Sequence, residues 1–138
     1  MKKIKIIIIT GLLVIIGCST KAEKPKITLN DYATQALVAN GIVRKIMSET
    51  DYKKMHGIAL AIESSRSISC VLVSDECNLL GIILNRIVYA SQKGMPSAEE
   101  SMEIYKLINQ LDQEFKKGRE SLTIQWAEYL KATNQLTN

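Results

Sequence analysis

The sequence predicts an all-α protein, a small four- or five-helix bundle, and three observations carry that expectation. Apolar side chains recur at three- and four-residue steps through nearly every segment after residue 30. Cap-forming residues stand ahead of those segments, and the connections between them are short. About 110 residues follow the N-terminal region, which suffices for one core and one domain, read as 30–138.

The elements follow in order. Asn30 or Asp31 can cap a first helix whose apolar positions are Tyr32, Ala36, Ala39, Val43 and Met47, ending near Ser48. Thr50-Asp51 offers the next cap, and Met55, Ile58, Ala59 and Ile62 continue the helical spacing up to a polar Glu63-Ser64-Ser65-Arg66-Ser67 run. Ser74-Asp75-Glu76 opens a third helix. Its Leu79, Leu80, Ile82, Ile83, Leu84, Ile87 and Val88 are apolar nearly all round, which assigns it to the centre. Gly94-Met95-Pro96-Ser97 then punctuates the chain. Beyond it, Ile104, Leu107, Ile108, Leu111 and Phe115 form one stripe. Glu99, Glu100 and Glu103 stand near its start and Lys116-Lys117 near its end, as the helix dipole favours. Gly118 is expected to break or bend this helix before a last one lined by Leu122, Trp126, Tyr129, Leu130 and Thr133.

One segment admits a second reading. In "GIALAIESSRSISCVLVS", at about 57–74, Ile58, Leu60 and Ile62 alternate with Ala, and Ile68, Cys70 and Leu72 alternate beyond a Ser-rich turn, so a β-hairpin is the alternative to helix. Helical spacing and the helix formers ahead of it favour helix.

The N-terminus has a different character. Met1-Lys2-Lys3-Ile4-Lys5 is basic, Ile6 to Ile16 is apolar apart from Thr10 and Gly11, and small Gly17 precedes Cys18, which are the parts of a secretory signal. A membrane span needs roughly 20 apolar residues, and Ile4 to Gly17 falls short before Ser19, Thr20 and Lys21 arrive. Around the cut, Ile15-Ile16-Gly17-Cys18 resembles the lipobox of bacterial lipoproteins, with Ile16 bulkier than is usual at its place. The resemblance implies cleavage after Gly17, a diacylglycerol thioether on Cys18 and a further acyl chain such as palmitate on its amino group. Two or three long chains hold a protein at a membrane effectively permanently. Ser19 in place of Asp implies, in a double-membraned cell, sorting to the outer membrane, facing the periplasm. On this reading residues 1–17 are a cleaved signal peptide and 18–29 are the lipidated cysteine and a polar linker containing Pro25.

Cleavage also changes the charge. Losing Lys2, Lys3 and Lys5 reduces 18 basic residues to 15 against 14 acidic ones, so the formal +4 falls to +1. A nucleic-acid partner, which wants a basic stripe, loses its support. Lys21, Lys24 and Lys26 make a modest basic tether beside the lipid.

Cys70 and Cys77 are the other cysteines, and in an oxidising periplasm two thiols are expected to pair. Seven residues of continuous helix rise ~10.5 Å, whereas a disulfide needs Cα atoms within roughly 7 Å. Pairing therefore requires a break between them, and the small ring would contribute about 2 to 3 kcal/mol in the chain-entropy model. The spacing is not that of a Cys-x-x-Cys redox centre, and His56, the single histidine, is read as a surface or helix-edge residue rather than a metal ligand.

Catalytic patterns are lacking: no Gly-x-Ser-x-Gly, phosphate-cradling Gly-rich loop or His-Glu-x-x-His occurs, and no cofactor is implied. Glu99, Glu100 and Glu103 read as a solvated first turn, and Tyr32, Tyr52, Tyr89, Tyr105, Tyr129 and Trp126 as core-edge residues. Two classes stay open. The first is a membrane-anchored, non-catalytic module that binds another envelope protein, of the immunity, exclusion or envelope-complex type. The second is a small cell-wall-acting periplasmic enzyme or an enzyme inhibitor.

Overall fold

The computed structural model describes residues 23–69 and 74–133. Cys18 and Cys70, and with them the lipidation site and one half of the expected disulfide, lie outside the described residues. Four helices are present: α1 (Leu29–Met47), α2 (Tyr52–Ser69), α3 (Ser74–Ala90) and α4 (Ala98–Ala132). The protein is all-α, a small four-helix bundle, and no strand occurs among the described residues. The hairpin alternative at 57–74 is therefore not adopted in its described part, where α2 runs through to Ser69. No helix among the described residues is long and apolar enough to cross a membrane.

The caps explain where the helices begin. Thr28, rather than Asn30 or Asp31, is the N-cap of α1: its Oγ1 accepts from the Asp31 backbone N–H at 3.0 Å. Asp31 instead stands in the first turn, where its charge suits the dipole. Asp51 caps α2 as expected, its Oδ1 accepting from Lys53 N–H at 2.9 Å. At α4, Ser97 and Glu100 form a reciprocal capping box: Glu100 N–H donates to Ser97 Oγ at 3.0 Å, and Ser97 N–H to Glu100 Oε1 at 2.9 Å.

The unit Ile27–Glu120 holds the core. Val43 and Ile46 of α1, Met55 and Ala59 of α2, Ile83, Leu84 and Ile87 of α3, and Ile104, Ile108 and Leu111 of α4 are buried. The helix expected at the centre is sided after all, since Ile82 on α3 is exposed. Two surface ion pairs, Arg44–Asp112 at 2.8 Å and Arg86–Glu103 at 3.2 Å, link α4 to α1 and α3.

Gly118 does not end the fourth helix, which is helical over the 35 residues Ala98–Ala132. One glycine costs a helix only about 1 kcal/mol relative to Ala, and Lys116, Lys117, Arg119 and Glu120 around it are good helix formers. The second unit is described for residues 23–26 and 121–133. Within it Leu122 is buried, and the Trp126 and Tyr129 rings meet edge to face at 5.8 Å.

Candidate functional site

Tyr32 enters α1 one turn after the Thr28 cap and is almost wholly buried. Its ring packs edge-on against Phe115 of α4, with centroids 6.2 Å apart. The phenol hydroxyl donates to Glu76 Oε1 of α3 at 3.0 Å, with the Phe115 carbonyl as a second acceptor at 3.3 Å. Gly118 makes this meeting possible. A methyl group there would lie 2.5 Å from Glu76 Oε1, 2.9 Å from Tyr32 Cζ, and closer still to the Tyr32 hydroxyl. Three helices thus converge on a phenol, a carboxyl and a missing side chain.

The electrostatics of this knot follow from burial. Glu76 is 3% exposed, and its Oε2 has no hydrogen-bond partner. Desolvation raises its pKa above the ordinary 4.5, and Asp75 and Glu114 add to the rise, while its backbone hydrogen bond and the Tyr32 hydroxyl oppose it. Burial likewise pushes the Tyr32 phenol up, helped by its hydrogen bond to Glu76 and by the charges of Glu76 and Glu114. A buried acid with a raised pKa and a phenol that resists ionisation thus meet where the three helices pack.

Above the knot, α1 and α4 leave an open groove of about 330 Å³. Tyr32, Ala36 and Leu37 line one side, and Phe115, Lys116 and Arg119 the other. Leu37 is 76% exposed, so a large apolar side chain stands uncovered at the groove's edge.

The sequence-read candidates are scattered. His56 is half-buried and its Nδ1 lies 2.9 Å from the Val88 carbonyl. A carbonyl only accepts, so Nδ1 carries the hydrogen and joins α2 to α3. Cys77 is buried in the first turn of α3. Glu100 belongs to the α4 capping box, Glu103 pairs with Arg86, and Glu99 is exposed. The tyrosines separate: Tyr32 is core, Tyr89 is 74% exposed, and the others lie between. Among the described residues, no group of three or more His, Cys, Asp or Glu side chains is placed to hold a metal ion.

Glu76 and Gly118 escaped the sequence reading as site residues. Within Ser74-Asp75-Glu76 a glutamate looks like any dipole-favoured first-turn acid, and Gly118 looks like a breaker. The one available signal was a glycine in the middle of an otherwise strong helix pattern, which points to close packing as readily as to a break. No family model matches this chain, and no curated protein or solved structure does.

Proposed function

We propose that this protein is a lipid-anchored envelope protein whose helical bundle is a non-catalytic interaction module. The observation that carries the reading is the open groove between α1 and α4, with Leu37 exposed at its edge and the buried Tyr32 and Phe115 in its lining. Grooves of this kind between helices are where amphipathic segments of other proteins lie. The Ile15-Ile16-Gly17-Cys18 lipobox supports placement by acyl chains, and Ser19 supports the outer membrane as the destination. A short tether raises effective concentration only toward partners near the membrane, which favours another envelope protein. Within the module, a Cys70–Cys77 disulfide would staple the start of α3. It is supported by the seven-residue spacing of the two cysteines and by the burial of Cys77 in the first turn of α3.

Fatty-acid labelling of cells making the wild type and Cys18→Ala tests the anchor, with label expected only in the wild type. A secreted form lacking residues 1–18 is expected to fold yet fail in the cell. Full cellular activity of that untethered form, or turnover of a cell-wall polymer by the purified protein, would refute the tethered module. For the staple, both thiols are expected to resist alkylation until reductant is added, and free alkylation of both would remove it.

A further inference from the structure

A lipid anchor decides which part of the chain lies nearest the membrane. Residues 23–26 and 121–133 are the described residues of one compact unit. Cys18 stands five residues before Glu23, so an acyl group on its sulfur is no more than ~18 Å of extended chain from that unit. The end of α4 is therefore held at the bilayer that the anchor enters. This end is also amphipathic. Leu122, Trp126, Tyr129 and Leu130 recur at helical spacing and share one face. Leu122 is buried and the other three are half-buried, while Gln125, Glu128 and Lys131 are exposed.

Composition narrows what can cover that face. Cleavage after Gly17 would leave the unit only residues 18–22 and 134–138 beyond the described ones, and Leu136 is the one large apolar side chain among them. A bilayer supplies what they lack. Trp and Tyr rings, apolar in body and polar at one atom, suit the headgroup boundary. Lys21, Lys24 and Lys26 outnumber Glu23 beside the anchor, which suits anionic headgroups. Four apolar side chains would hold a membrane weakly by themselves, but the anchor makes the contact intramolecular. We propose that the end of α4 lies in the headgroup region of the anchoring bilayer, with Leu122, Trp126, Tyr129 and Leu130 toward the acyl chains, as a second membrane contact beside Cys18. The proposal rests on the lipid-anchor reading and gives the lipid surface as the partner of this face.

Trp126 is the only tryptophan in the chain, so tryptophan fluorescence reports this face alone. The test places the full mature lipoprotein in vesicles of phosphatidylethanolamine and phosphatidylglycerol whose acyl chains are either ordinary or brominated, bromine being a short-range quencher. Emission in the brominated vesicles is expected at about half the ordinary value or less, because an interfacial face sits roughly 5–10 Å into the headgroup and acyl boundary. Leu130→Glu, on the same face, should restore most of the emission. Ile124→Glu, at a 59% exposed position on the opposite side of the helix, should leave the quenching unchanged. The wild-type reading needs no variant, so it stands even where Leu130→Glu frays the helix end. Equal emission in the two vesicle types, with the protein still sedimenting with both, would overturn the contact and leave the anchor in place. Quenching that the two variants change alike would overturn it as well. So would unquenched emission that shifts with the protein-to-lipid ratio, which would give the face to a second copy of the chain. A protein that takes up no fatty-acid label fails the anchor reading itself, and the proposal with it.

Discussion

Two polar knots sit in the same bundle and are built on opposite principles. Between α2 and α3, His56 Nδ1–H donates to the Val88 carbonyl, and the fully buried Ser91 hydroxyl donates to the Ile87 carbonyl. Both acceptors belong to the last turn of α3, where helical partners run out, and the Ile87 carbonyl also accepts from the Ser91 backbone N–H. Neutral donors there meet neutral acceptors. Between α1, α3 and α4, by contrast, Tyr32 meets a buried carboxyl with one oxygen unpaired, at a point where α4 must omit a side chain. Burying such a group costs more than its hydrogen bonds return. The difference teaches that the second knot serves register more than stability: its contacts fit one alignment of the three helices that meet there.

The sharpest way to break that comparison is to add one methyl group. Gly118→Ala would normally stabilise a helix by about 1 kcal/mol. Here the new carbon would collide with Glu76 Oε1 and the Tyr32 phenol, so a loss of about 2 to 3 kcal/mol is expected from overpacking. Gly57→Ala in α2, where nothing lies within 4 Å of the new carbon, is the control and should gain up to about 1 kcal/mol. Urea denaturation of the two variants reads the contrast directly. Equal midpoints would mean that Gly118 has no packing role.

The next effect is smaller and depends on pH. Because burial raises the Glu76 pKa, its contribution to stability is fully present below about 4.5 and is lost as pH rises through the higher folded value. Glu76→Gln keeps an acceptor for Tyr32 and never ionises. It should therefore match the wild type in acid and exceed it by about 1 kcal/mol at neutral pH. Thermal melts across that range check the sign. A variant less stable than wild type at neutral pH would show the ionised carboxylate to be favourable, contrary to its unpaired oxygen.

The helices were legible because each buries one stripe, and stripes can be read from spacing alone: Tyr32, Ala39, Val43 and Met47 on α1, or Ile104, Ile108, Leu111 and Phe115 on α4. What stayed illegible depends on distant partners. The sequence around Gly118 cannot say that residues 32 and 76 arrive there, since those separations of 86 and 42 positions are set by how the helices pack. The same distance hides the role of Glu76, which the sequence shows only as part of the Ser74-Asp75-Glu76 helix start. The α1 cap was misplaced for a local reason: Thr28, Asn30 and Asp31 all suit an N-cap, and only the Asp31 N–H to Thr28 hydrogen bond decides among them. The groove was invisible too, because Leu37 lies off the buried stripe and reads as an isolated exposed residue.

The smallest effects are expected in the neutral knot, where they bound the comparison from the other side. Ser91→Ala removes a buried hydroxyl, but the Ile87 carbonyl still accepts from the Ser91 backbone N–H at 3.0 Å. No acceptor is stranded, and the change should fall within about 0.5 kcal/mol. His56→Ala removes the Nδ1–H donor from Val88. That carbonyl lies at a helix end beside a half-buried position, where water can replace the imidazole, so a loss of about 1 kcal/mol is expected. Neither change should depend on the ionisation of Glu76, because His56 meets α3 at its last turn and Glu76 sits in its first. The double variant with Glu76→Gln should accordingly add its parts within about 0.5 kcal/mol. A loss above about 2 kcal/mol for His56→Ala, or strong non-additivity with Glu76→Gln, would mean that the two ends of α3 are coupled and that the neutral knot also fixes helix alignment.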